Sequence, residues 1–101
     1  MNRNFKAERL LSGETFVTKE KGNSMVPLIR SSQEHNLAPV ASWEECEVGD
    51  IVYCRLSKAR HYTHLVTAKD PKRGLQISNN KGYVNGWTKT VYGKVIEVLS
   101  L

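Results

Sequence analysis

Apolar positions fall in short runs separated by polar and glycine-containing stretches, at spacings of about 10 to 14 residues that suit strands joined by turns. Arg9-Leu10-Leu11 follows a polar start and precedes Ser12-Gly13, so residues 5–12 are expected to form a short helix or docking arm ended by the glycine. Thr15-Phe16-Val17-Thr18-Lys19 mixes β-branched and aromatic residues over a strand's length, and Lys21-Gly22 closes it with a turn. Ser24 to Arg30 is too short for a full helix and suits one helical turn, with Pro27 tolerated near its start because it has no N–H to donate. Pro39 confines a strand over residues 36–40 to an edge or a bulge. Glu44, Glu45, Glu47 and Asp50 mark a polar turn around Val48-Gly49.

The strongest strand patterns are Asp50 to Leu56 and Tyr62 to Ala68, joined as a hairpin by the basic segment Ser57-Lys58-Ala59-Arg60-His61. Asp70-Pro71-Lys72-Arg73-Gly74 forms a second turn leading into Leu75 to Asn79. Asn79-Asn80-Lys81-Gly82 and Asn85-Gly86 are turn signals around Tyr83-Val84, and Val91 to Leu99 is a last strand in which Gly93 marks a candidate bulge. About six short strands with little helix imply an all-β fold, a small coiled antiparallel domain over residues 13–101 behind an N-terminal arm over residues 1–12.

At 101 residues the chain can build one core without metal or disulfide staples, which leaves no room for multi-domain catalysis. Cys46 and Cys54 are spaced unlike a zinc knuckle or a CxxC redox pair, so both are expected as buried free thiols, and no metal or cofactor is expected. No run approaches the roughly 18 apolar residues that cross a bilayer, and the N-terminal residues lack a signal peptide's apolar segment; a cytoplasmic protein with no membrane partner is expected. The net charge of +5 invites a nucleic-acid hypothesis that its distribution weakens. Residues 1–54 carry six basic and eight acidic side chains, residues 55–101 nine and two, and only Lys72-Arg73 in that basic half are adjacent. Such scattered cations read as a solvated surface.

The densest candidate chemistry is Gly22-Asn23-Ser24-Met25-Val26-Pro27. A serine after a glycine turn and at the start of a helical turn exposes its hydroxyl beside backbone N–H groups, as a nucleophile with an oxyanion site requires, although a helix cap places the same residue types there. A base must lie within hydrogen-bonding reach, and histidine is the side chain suited to that role at neutral pH. His35 is expected in a solvated loop and His61 in the basic hairpin loop. His64 sits mid-strand on the face shared with Tyr62, Val66 and Ala68, which fixes its direction, whether it serves as a base or as a core-edge histidine bonded to a carbonyl.

Taken in order, Gly22 to Pro27, Glu47-Val48-Gly49-Asp50-Ile51-Val52-Tyr53 and Thr63-His64-Leu65-Val66 resemble the G-x-S-M-x-P, G-D-I-V and base-bearing strand segments of the LexA-like and signal-peptidase-like serine peptidases of S24/S26 type. Gly93 to Val98 resembles their closing strand, so the resemblance spans residues 13–99. It implies Ser24 as nucleophile, His64 at the place where the endoplasmic-reticulum-type branch carries histidine rather than lysine, the Ser24 backbone N–H as one oxyanion donor, and Asn23 and Met25 lining the site. Activity would then fall as pH drops below the pKa of the histidine, about 6.5 if unperturbed. Where that branch carries an acid after a G-D-N-N-like segment, Ser78-Asn79-Asn80-Lys81-Gly82 has none; Asn80 is the expected contact to His64, and an asparagine orients an imidazole without stabilising its cation.

The segment ahead of Gly22 is too short for the helix-turn-helix domain of LexA-like repressors and lacks the membrane span of signal peptidases. The expectation is a bare Ser24/His64 peptidase-like domain acting on a protein or peptide, or on itself at Ser12-Gly13. The alternative is a catalytically degenerate peptidase fold that binds a protein partner through the Asn79 to Trp87 loop or the basic second half; nucleic acid is disfavoured, and a homodimer is compatible with the sequence.

Overall fold

Asn4 sets the start of the chain's helix and ties it to the sheet. The computed structural model describes residues 4–57 and 60–100; Met1 to Arg3 of the expected arm, Lys58 and Ala59 of the expected hairpin loop, and Leu101 lie outside them. The Asn4 side-chain oxygen accepts the Ala7 N–H at 2.8 Å, capping helix α1 (Phe5–Leu11), and also accepts the Tyr53 hydroxyl at 2.8 Å. Gly13, at φ +93°, ends the helix in a conformation that disfavours a Cβ. Ala7 and Leu10 pack against Phe16, Leu37 and Tyr53, so the short helix expected over residues 5–12 is docked on the core as one of its walls.

Among the described residues seven strands follow: β1 (Phe16–Thr18), β2 (His35–Pro39), β3 (Ile51–Arg55), β4 (His61–Asp70), β5 (Gly74–Ser78), β6 (Val84–Thr88) and β7 (Val91–Val98). They form one antiparallel sheet ordered β1-β2-β7-β3-β4-β5-β6, and the fold is all-β with few helical turns, as the run lengths imply. The expected polar turn after residue 42 contains a 3-10 turn, Trp43–Glu45, capped by the Ser42 side chain. The strand beyond the expected six is β6, which continues from Tyr83-Val84 through the Asn85-Gly86 turn signal.

Both faces of β3 are buried. Tyr53 belongs to the core under α1, whereas Val52 and Cys54, pointing the other way, join Cys46, Val66, Leu75 and Ile77 in a second core. Cys46 and Cys54 are buried free thiols. Gly93 leaves no room for a side chain between the sheet and the helix: a Cβ there would lie 2.6 Å from the Ala38 carbonyl oxygen and 2.8 Å from Leu10 Cδ2. The β3–β7 ladder passes over Tyr92 at this point, pairing Tyr53 with Gly93 and Cys54 with Val91, so the expected bulge lies beside the glycine.

The register of β4 positions the site. Val52 pairs with His64 and Tyr53 with Thr63, fixing these two neighbours on opposite faces of the sheet. On its other side β4 pairs with β5 only from Leu65 onward, so residues 61–64 extend past the end of β5.

Candidate active site

Ser24 stands in a series of turns following Gly22, whose φ of +127° reverses the chain. The Ile29 N–H donates to the Met25 carbonyl at 3.0 Å and the Val26 N–H to the Asn23 carbonyl at 3.3 Å, closing one loop of chain where a helical turn is expected. Met25 and Ile29 are buried and anchor the turn, while Asn23 is exposed and contributes its carbonyl to it.

This turn and β4 bring the two expected reactive side chains together: Ser24 Oγ lies 3.0 Å from His64 Nε2. Behind the ring, Asn85 Oδ1 lies 2.7 Å from His64 Nδ1. An amide oxygen can only accept, so Nδ1 carries the proton and the Nε2 lone pair faces the serine hydroxyl. Tyr62 packs on the same imidazole, with ring centroids 4.9 Å apart. Burial pushes the His64 pKa below its ordinary value, opposed in part by the hydrogen bond to Asn85 and the Glu20 carboxylate, so the neutral base form is favoured.

The amide that touches the histidine is Asn85 and not Asn80, the expected contact. Ile77 pairs with Gly86 and Ser78 with Val84, leaving Asn85 as the extra residue of a β6 bulge. A bulge re-aims a side chain out of the strand's alternation, and that is how Asn85 reaches the ring. Asn80 instead holds the serine turn: its backbone N–H donates to the Ser24 carbonyl at 2.8 Å and its Nδ2 to the Val26 carbonyl at 3.1 Å.

Ser24 opens onto a cleft of about 330 Å³ lined also by Met25, Glu20, His35 and the run from His61 to His64. Successive side chains of a strand point to opposite faces, so four consecutive residues reach one cleft when the strand's edge borders it. This is the stretch of β4 that β5 leaves uncovered.

The other two histidines depart from expectation. His35 is fully buried because β2 is sandwiched between β1 and β7, pairing with Thr18 on one side and Val98 on the other. Its Nδ1 donates to the Gln33 carbonyl at 3.1 Å, while Nε2 has no hydrogen-bond partner among the described residues. His61 is the first residue of β4, not a loop residue, and stacks against Tyr53 and Tyr92 with centroids 5.8 Å from each.

Among the described residues, no group of three or more His, Cys, Asp or Glu side chains is placed to hold a metal ion, and no helix is long and apolar enough to cross a membrane. Neither a protein-family model, nor a curated protein, nor a solved structure matches the chain.

Proposed function

We propose that the chain is a serine hydrolase of peptide bonds related to the LexA-like and signal-peptidase-like enzymes, with Ser24 as nucleophile, His64 as general base and Asn85 as the group that orients the base. The observation that carries this reading is the continuous hydrogen-bonded line Ser24 Oγ, His64, Asn85 Oδ1 at the edge of a cleft. A nucleophile, a base and an orienting group in this relation are what acyl transfer requires.

In the proposed reaction, Ser24 Oγ bonds to the substrate carbonyl carbon while its proton passes to His64 Nε2. The oxyanion that forms is met by the Ser24 backbone N–H, and the imidazolium returns its proton to the leaving amine nitrogen as the C–N bond breaks. Water then gives a proton to His64 Nε2 and attacks the Ser24 ester, and the imidazolium returns that proton to Ser24 Oγ as the C–O bond breaks and the acid leaves. Asn85 keeps the tautomer and ring direction but adds no negative charge to offset the imidazolium, which favours a slow enzyme over a fast one.

The end of β4 beyond β5 supports a peptide as substrate, since residues 62–64 border the cleft where β5 does not reach and an extended backbone can be laid beside them. It also supports an external peptide over self-cleavage. Ser12 is in helical conformation at φ −82°, ψ 0°, capping α1, and the Ser12-Gly13 bond is not extended.

A fluorophosphonate tests the reading by labelling wild type and not Ser24→Ala; a wild type that stays unlabelled, in folded protein, rejects it. The second reading, a peptidase fold that only binds a protein partner, is favoured by the amide where a carboxylate would complete the line. It wins if Ser24→Ala and His64→Ala keep full biological activity and Trp87→Ala abolishes it.

A further inference from the structure

The two asparagines that touch the site belong to one hairpin, the connection from β5 to β6. Its tip is closed by Asn79, whose backbone N–H donates to the Tyr83 carbonyl at 3.0 Å and whose Oδ1 accepts the N–H groups of Lys81 and Tyr83, both at 2.9 Å. Asn80 reaches from this tip to the nucleophile turn, and Asn85 reaches from its return strand to the base. Neither contact uses a group of the other, so the hairpin is a frame with two separate points of attachment.

The attachment at Asn80 has a geometric effect on the peptide that follows the nucleophile. Its two bonds end on the Ser24 and Val26 carbonyls, one on each side of Met25. In a planar trans peptide the N–H points opposite to the carbonyl, and the Ser24–Met25 bond is trans. Holding the Ser24 carbonyl toward Asn80 therefore turns the Met25 N–H away from the hairpin. Met25 lines the cleft, and among the described residues no acceptor engages its N–H.

We propose that Asn80 is a positioning residue that fixes the Ser24–Met25 peptide so that the Met25 N–H joins the Ser24 N–H as a second oxyanion donor. This rests on the reading of Ser24 and His64 as nucleophile and base, and adds to it the donor pair and the residue that sets it. An oxyanion donor acts through its direction, and a peptide free to rotate aims it only part of the time. Asn80 acts on the nucleophile half of the site and leaves the imidazole to Asn85.

The experiment measures second-order fluorophosphonate labelling of wild type, Asn80→Ala, Asn80→Asp and Asn80→Ser, with the His64 imidazole titration followed by NMR on the same samples. Asn80→Ala keeps the backbone bond to the Ser24 carbonyl and removes the side-chain bond to the Val26 carbonyl, so the turn around Met25 is held at one end only and labelling is expected to be about 10-fold slower. Asn80→Asp, which turns an acceptor toward the Val26 carbonyl, is expected to be slower still, and Asn80→Ser, which keeps a donor, to lie between Ala and wild type. All folded variants should keep the wild-type His64 titration. Wild-type rates in the folded variants overturn the proposal, and so does a loss of rate accompanied by a moved His64 titration, which would mean that the whole hairpin has loosened. A wild type that is not labelled at all removes the hydrolase reading and this proposal together, whereas a labelled wild type matched by its variants removes this proposal alone.

Discussion

Asn85 holds His64 from behind: its side-chain oxygen and the ring Nδ1 are 2.7 Å apart, and the ring's other nitrogen faces Ser24. Replacing this amide by alanine leaves the tautomer unspecified, and fluorophosphonate labelling of Ser24 is expected to drop by about 10²- to 10⁴-fold. Asn85→Asp puts a negative charge against the same nitrogen, so the His64 pKa rises and the midpoint of the pH–labelling curve moves to higher pH. Above that midpoint Asn85→Asp should label faster than wild type. Equal curves for wild type and Asn85→Asp would remove Asn85 from the proposed mechanism.

The wild-type curve itself has a predicted position. Burial holds the His64 pKa in the folded protein below the ordinary value of 6.5, so the base stays neutral, and labelling persists, at pH values where a solvated imidazole is already protonated. The same shift links to stability. The unfolded chain binds the proton more tightly, so the contribution of His64 to stability is present above pH 6.5 and is lost as pH falls through the lower folded-state value. Urea unfolding at stepped pH should show this decline in wild type and a shallower one in His64→Gln; parallel declines would contradict it.

Leu10 tests whether the helix is structural. Its side chain is almost fully buried, in the core with Phe16, Leu37 and Tyr53. Leu10→Ala is expected to cost about 2 to 5 kcal/mol in chemical denaturation. A loss well under 1 kcal/mol would contradict a structural role for the helix.

The thiols give a prediction without catalysis. Burial, with the Asp50 carboxylate second, pushes the Cys46 pKa up to about 11, and burial pushes Cys54 to about 12. The thiolate is the reactive form, so both should resist a thiol reagent in native protein at pH 8 and react on unfolding. Native-state reaction at either thiol would count against the packing of the core around Val52 and Val66.

Alternation and turn residues made most strands readable because each buries at least one face: Asp50 to Leu56 and Tyr62 to Ala68 become β3 and β4 within a few residues of their expected ends. Ser24 and His64 were legible for a related reason, since a glycine turn and a mid-strand histidine each fix a direction locally. Whatever depends on the third dimension was not. His35 reads as a loop histidine because nothing nearby in the chain reveals that β1 and β7 will flank it. Asn85 reads as turn chemistry because a bulge, which follows no alternation, is what aims it at the ring. The stop of β5 at Ser78, opposite Leu65 of β4, leaves residues 61–64 beyond its end beside the cleft and follows from relative strand lengths that local propensities do not encode.

The hairpin that carries Asn80 and Asn85 also sets an order in time. A chain emerging from the ribosome presents Ser24 and then His64, separated by 40 positions, before either brace has been synthesised. At that stage neither side chain has the asparagine contacts that hold it in the folded chain. Only when residues 79–86 have emerged and folded back can the nucleophile's carbonyl and the base's proton both be held. Reactivity at this centre would therefore mature late, and its appearance would mark the moment at which the chain's distant segments have closed on one another.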